Sequence, residues 1–174
     1  RAPIIFKHPV TPELVNEIYK INSITLEQLH TPRFGKGIWS GHYDLFDDQR
    51  PVIQEAAARL THMVRDAIGS DIYIKDSFFN ILRENGGLVK HNHLGAIDRD
   101  PQIQLAERKY SLVYYLRTGD QSGEEPGMLK LYNPDADIMP KEGMVIIFPA
   151  SQYHSAVYQG NKDRVLLGIN FYRL

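Results

Sequence analysis

The spacing of apolar positions divides the chain in two. In residues 11–29, "TPELVNEIYKINSITLEQL", Leu14, Ile18 and Ile21 recur at helical spacing behind Thr11 as N-cap and Pro12 at the first helical position. "RPVIQEAAARLTHMVRDAIG" repeats the design, with Ile53, Ala56, Ala57, Leu60, Val64 and Ile68 on one stripe and Gly69 as the stop. Between these two predicted helices, "TPRFGKGIWSGHYDLFDDQR" is rich in glycine and aromatics and predicts irregular chain or short strands. After Gly69 the period changes. "DIYIKDSFFNILRENGG", "KYSLVYYLRTG", "PGMLKLYNP", "EGMVIIFPA" and "DRVLLGINFYRL" are short runs rich in β-branched and aromatic residues, bounded by Gly, Pro, Asn and Asp. Strands with regular turn signals and no helices between them predict a sandwich or barrel. The expected fold class is α+β and mainly β: a jelly roll, with N-terminal helices packed on it.

The chain's 174 residues suit one domain, 1–174, with residues 1–70 as helical support and 71–174 as the jelly-roll core. Composition narrows the function only by exclusion. The formal net charge is -1 without a block of like charges, so a nucleic-acid or anionic-membrane surface is not expected. No cysteine is present, so any metal must be held by nitrogen and oxygen. No apolar run approaches the roughly 18 residues of a membrane span, and no signal-peptide pattern is visible. The expectation is a cytoplasmic protein. The start at Arg1, without a methionine, suits either a trimmed chain or a piece of a longer one.

The candidate chemistry lies in "GGLVKHNHLG", where His91 and His93 stand one residue apart. Alternate residues of an extended segment point to the same side, so these two imidazoles can converge on one ion while Asn92 turns away. His154 follows in "FPASQYHSAVY", and Arg164 comes ten residues later at the start of the last predicted strand. Three ligands on one face of an octahedron leave three positions open, the arrangement of non-haem Fe(II) oxygenases. A 2-oxo acid takes two of those positions. The far carboxylate of 2-oxoglutarate then needs a cation, and the planar fork of Arg164 suits it. The remaining histidines have plainer readings. His62 belongs to a helix, His42 has no partner at ligand spacing, and His8 and His30 are expected to be solvated.

At these residues the sequence resembles the Fe(II)- and 2-oxoglutarate-dependent oxygenases over roughly residues 71–174, closest to prolyl-hydroxylase-like members and to oxygenases that carry His-x-His. The resemblance implies a double-stranded β-helix, iron on His91, His93 and His154, and catalytic roles for these three and Arg164. It implies that Tyr115 in "SLVYYL" binds the far carboxylate beside Arg164. Leu129 in "PGMLKLYNP" would pack on the cosubstrate, and Asn80 in "SFFNIL" would hydrogen-bond it. The implied activity is oxidation by O2 coupled to 2-oxoglutarate, releasing succinate and CO2 and hydroxylating a small molecule or a protein side chain.

Two departures from the family pattern stand out. Most members have His-x-Asp or His-x-Glu, whereas His93 occupies the acid position here. The segment "LGAIDRDPQIQLAERK" is also long; it is expected to be mobile and to act as a substrate lid, and its Asp98 is an alternative third ligand. Two other readings remain open: a three-histidine cupin metalloenzyme that does not use 2-oxoglutarate, and an inactive jelly-roll binding module.

Overall fold

The structure is a computed structural model and describes residues 2–21, 23–25, 37–84 and 86–174. Among these, the element order is β1 (Ile4–Lys7), α1 (Pro12–Lys20), β2 (Ser23–Thr25), β3 (Gly37–Ser40), α2 (Pro51–Ile68), β4 (Ile72–Leu82), β5 (Gly86–His91), β6 (Lys109–Arg117), β7 (Leu129–Leu131), β8 (Ala136–Ile138), β9 (Met144–Pro149), β10 (His154–Tyr158) and β11 (Arg164–Arg173). A seven-stranded sheet runs β1-β9-β6-β11-β4-β3-β2 and faces a four-stranded sheet, β5-β10-β7-β8. All the strand pairings within both sheets are antiparallel. This is the expected mainly-β jelly roll with helices laid on one sheet.

Alternation along the strands builds two cores. One face of the large sheet sends Phe79, Ile81, Leu112, Ile169 and Phe171 toward Leu14, Ile18, Ile53, Leu60 and Val64 of the helices. The other face sends Leu82, Tyr115, Phe148 and Leu166 into the space between the sheets, where Leu129 and Leu131 of β7 meet them. A period of two separates these sets, so a one-residue slip would exchange them.

The N-terminal third differs from its predicted form. α2 ends as expected, on Gly69 in the left-handed region (φ 77°), whose N–H bonds Arg65 O. The first helix, expected over 11–29, stops at Lys20. The run Ser23-Ile24-Thr25 pairs with β3 instead, and β-branched residues favour extended backbone. Residues 26–29, and 31–36 of the segment read as irregular, lie outside the described residues. Residues 1–70 are thus more than helical support, because β1, β2 and β3 extend the large sheet.

Candidate metal centre

β5 and β10 position the histidines. They pair with His154 directly opposite His91, so the last residue of one strand meets the first of the other. β5 opens on two glycines, and Gly87 is required there: at φ 139°, a Cβ would lie 2.1 Å from Ala156 O of β10. His93 follows β5 and is fixed by its N–H bonding Ala150 O at 2.9 Å. The Asn92 amide turns aside to Ser151 O at 3.5 Å. The result is the expected convergence. One nitrogen from each of His91, His93 and His154 lies within 4.8 Å of the others, and His93 Nε2 stands 3.0 Å from His154 Nε2. This set could hold a metal ion.

The tautomers follow from the hydrogen bonds. His91 Nδ1 donates to Val89 O at 2.7 Å, and His154 Nδ1 faces Gln152 O at 3.4 Å. A proton on Nδ1 leaves the lone pair on Nε2, the atom a metal takes. Burial, and then the neighbouring His91, push the His154 pKa down to about 3, against the opposing effect of the Gln152 carbonyl. His154 is therefore neutral at physiological pH. Its ring packs edge-on to Phe148 at 4.9 Å between centroids.

Arg164 lies at the far end of the same interior and is 1% exposed. A buried guanidinium is costly unless a carboxylate or several hydrogen bonds meet it, and here backbone carbonyls meet it. Nε donates to Thr118 O, Nη1 to Gly127 O and Nη2 to Pro126 O. Among the described residues three of its five N–H groups find acceptors, which leaves one on each terminal nitrogen. The cradle depends on Gly127, at φ 83°, because a Cβ there would stand 2.0 Å from Nη1. Tyr158 and Tyr115 present their rings 4.6 and 5.8 Å from the guanidinium carbon.

The other predicted cosubstrate residues share this interior. Leu166 pairs with Asn80 on one side and Tyr115 on the other, so all three side chains face the opposite sheet. Burial drives the Tyr115 phenol up to about 12 despite Arg164, which keeps it a neutral O–H donor. Asn80 is 5% exposed, and its amide oxygen is buried with no hydrogen-bond partner among the described residues. Such a group is costly to leave unpaired and marks a site for a ligand or water. Leu129 packs in the same cluster as Tyr115 and Leu166.

Asp98 is not the alternative ligand. Its carboxylate is buried and taken by Lys109 Nζ at 2.8 Å, the Gly95 N–H at 2.7 Å and the Tyr172 hydroxyl. Burial alone would raise its pKa, but the bonds from Lys109, Tyr172 and Gly95 outweigh that and hold it below the usual value. Asp98 therefore pins the segment that was expected to move as a lid. The other histidines stand apart from the centre. His62 is exposed beside Asp66, His42 is exposed, and His8 is partly buried on the Tyr114 ring rather than fully solvated. His30 lies outside the described residues. Sequence reasoning missed Asn170, Ser111 and Asp76, which join in one hydrogen-bonded chain on the inter-sheet face. Their polar positions in otherwise apolar strands were the available signal.

No family model matches the chain, and no curated protein matches it. Solved structures do. HygX from Streptomyces hygroscopicus, with nickel and 2-oxoglutarate bound, aligns at TM-score 0.73 and 14% identity over 98% of this chain and 82% of its own. The viral collagen prolyl hydroxylase of Paramecium Bursaria Chlorella virus-1, in complex with 2OG, aligns at TM-score 0.69 and 12% identity over 100% and 97%. The non-heme alpha ketoglutarate dependent epimerase SnoN from nogalamycin biosynthesis aligns at TM-score 0.67 and 11% identity over 99% and 80%. At these identities the likeness is one of fold: the jelly roll here is the one these enzymes use. No described helix is long and apolar enough to cross a membrane.

Proposed function

We propose that the protein is a non-haem Fe(II)- and 2-oxoglutarate-dependent dioxygenase acting on an unidentified substrate. The observation that carries this reading is the convergence of His91, His93 and His154 at one end of an interior that holds the buried Arg164 at the other. The residues suit the groups they would hold. Three imidazoles, two of them with Nδ1 turned to backbone carbonyls, offer borderline nitrogen donors appropriate to iron. Arg164 keeps two N–H groups for the far carboxylate of 2-oxoglutarate. Tyr115 would donate a further bond, the unpartnered Asn80 amide would meet the cosubstrate's polar atoms, and Leu129 would pack against its carbon chain.

Bound iron with 2-oxoglutarate and O2 supplies the oxidising chemistry, with succinate and CO2 as co-products. This chain's residues do the rest. Arg164 and Tyr115 fix one end of the cosubstrate, so its 2-oxo acid end is oriented toward the histidines. Leu129, Leu131, Phe148 and Leu166 keep bulk water from that interior. Hydroxylation is the preferred outcome. The similarity to an epimerase supports inversion of a stereocentre as a second outcome, and a small molecule or a protein side chain fits the substrate role.

One observation favours the three-histidine metalloenzyme as a second reading: carbonyls already satisfy much of Arg164. Titration of 2-oxoglutarate into the Mn(II)-loaded protein separates the two, since only the dioxygenase binds it. Succinate formation with Fe(II) under air then tests turnover. A protein that takes up neither metal nor 2-oxoglutarate would refute the proposal.

A further inference from the structure

The inter-sheet face of the large sheet carries a second polar feature that the metal and cosubstrate do not use. Asp76, Asn170, Ser111 and Phe148 stand in register across β4, β11, β6 and β9. Ser111 Oγ donates to Asn170 Oδ1 at 2.8 Å, and Asn170 Nδ2 donates to Asp76 Oδ2 at 3.1 Å. The direction of this chain is forced. Were the amide reversed, Asn170 Oδ1 would face a carboxylate oxygen, acceptor against acceptor. Phe148, at the far end of the row, is the residue on which His154 packs. The row therefore forms a floor that leads from the histidines to Asp76.

The floor is separate from the cosubstrate end. One same-face step deeper, Phe78 pairs with Gly168, and the ring lies so close over it that a Cβ at 168 would come within 2.5 Å. Beyond that partition lie Asn80, Leu166 and Tyr115, and then Arg164. The two compartments carry opposite charge. The deep one holds a guanidinium. In the outer one Lys109 is committed to Asp98, and Asp76 has no ion-pair partner among the described residues. Asp76 is only partly exposed, and its Oδ1 accepts no hydrogen bond from the described residues. Asn170 and Ser111 are 7% and 2% exposed, so a costly polar chain is spent on orienting one carboxylate.

We propose that Asp76, oriented by Asn170 and Ser111, is a specificity-determining residue that receives a protonated amine of the substrate. This rests on the dioxygenase reading for the identity of the neighbouring centre. The floor also implies an extended substrate: Asp76 is three strand spacings of about 4.8 Å from Phe148, so the amine and the oxidised carbon lie roughly 10–15 Å apart.

The Asn170 side-chain amide is the reporter, followed by 1H–15N spectra of the metal-free protein titrated with hexylammonium chloride and, separately, with 1-hexanol. The expected result is an Asn170 shift that saturates at concentrations at least about tenfold lower for the amine, the range of a charge-assisted hydrogen bond. Asp76→Asn keeps an acceptor for Asn170 and removes the charge, so the preference should vanish while the urea midpoint holds. Ser111→Ala, which frees the amide to turn, should weaken the preference several-fold and serves if Asp76→Asn does not fold. Equal response to amine and alcohol in the unmodified protein, or a preference that survives both variants, overturns the proposal. Zn(II) titration of the histidine ring signals tests the metal centre separately. A site that takes no Zn(II) overturns the dioxygenase reading, while the amine preference still decides this one.

Discussion

At the scale of single residues, the chemistry depends on which nitrogen carries a proton. His91 and His154 have their Nδ1 committed to backbone carbonyls, so each offers Nε2, and His154→Ala or His91→Ala would leave two of the three candidate ligands. Outer partners of metal ligands alone are worth about 10–100-fold in affinity, so calorimetry with Mn(II) should record at least that loss. His93→Asp should retain Fe(II), since a carboxylate is a competent third ligand; failure to bind would mean that the imidazole itself is required. The same burial makes the metal-free protein acid-sensitive. The His154 pKa is depressed to about 3 in the folded state against 6.5 unfolded. Between those values the unfolded chain binds the extra proton, so stability falls as pH drops from about 6.5 toward about 3 and is unaffected above that window. Urea midpoints at pH 7 and pH 5 should differ in that sense, and the difference should shrink in His154→Phe. These three histidines and Arg164 were legible because their order and spacing survive in the linear chain. The carbonyl cradle around Arg164 was not, because Thr118, Pro126 and Gly127 contribute only backbone oxygens, which no side-chain pattern records.

At the scale of elements, the segment after His93 shows how a buried charge overrides composition. Residues 94–108 read as a polar, mobile lid because they carry many charges and little apolar matter. One of those charges is inside. Asp98 is 2% exposed and gathers Lys109 from β6, Tyr172 from β11 and the Gly95 N–H. The loop is thereby fastened to the large sheet five residues beyond His93. Asp98→Ala would strand the Lys109 ammonium in the interior and should cost about 3–5 kcal/mol, as for other broken buried pairs. Urea denaturation reads this directly, and a loss under about 1 kcal/mol would mean that the pair is solvated in solution. Hydrogen exchange should find the Gly95 amide protected and the exposed residues 100–104 exchanging quickly. The strands themselves were legible where β-branched and aromatic runs are long, as in β4, β6, β9 and β11. β5 was harder, because Gly86 and Gly87 read as a turn although the close approach of β10 is what requires Gly87. The short first helix was misjudged because pairing of Ser23–Thr25 with β3 is a tertiary contact that local propensity does not contain.

At the scale of the whole molecule, function depends on two sheets closing around one interior. The histidines come from β5, the chain just after it, and β10, all on the small-sheet side, whereas Arg164, Tyr115 and Asn80 belong to the large sheet. A metal alone would tie β5 to β10 within one sheet. The cosubstrate, held by Arg164 at one end and the metal at the other, would tie the two sheets together. Binding to the folded state alone adds stability by mass action, about 2.7 kcal/mol at a hundredfold excess over Kd. The thermal midpoint should therefore rise in two steps, first with Mn(II) and then further with 2-oxoglutarate, and 2-oxoglutarate without metal should give little. Arg164→Lys keeps a charge but loses the planar fork and its several directed bonds. It should start from a lower midpoint, because the Thr118, Pro126 and Gly127 carbonyls lose their donors. Its metal-dependent step should be intact and its 2-oxoglutarate step smaller. Differential scanning fluorimetry on both proteins separates these contributions, since the baseline loss reports the cradle and the second step reports the cosubstrate. An undiminished second step in Arg164→Lys would remove Arg164 from cosubstrate binding, leave it as a structural clamp on the 118–127 loop, and favour the three-histidine metalloenzyme.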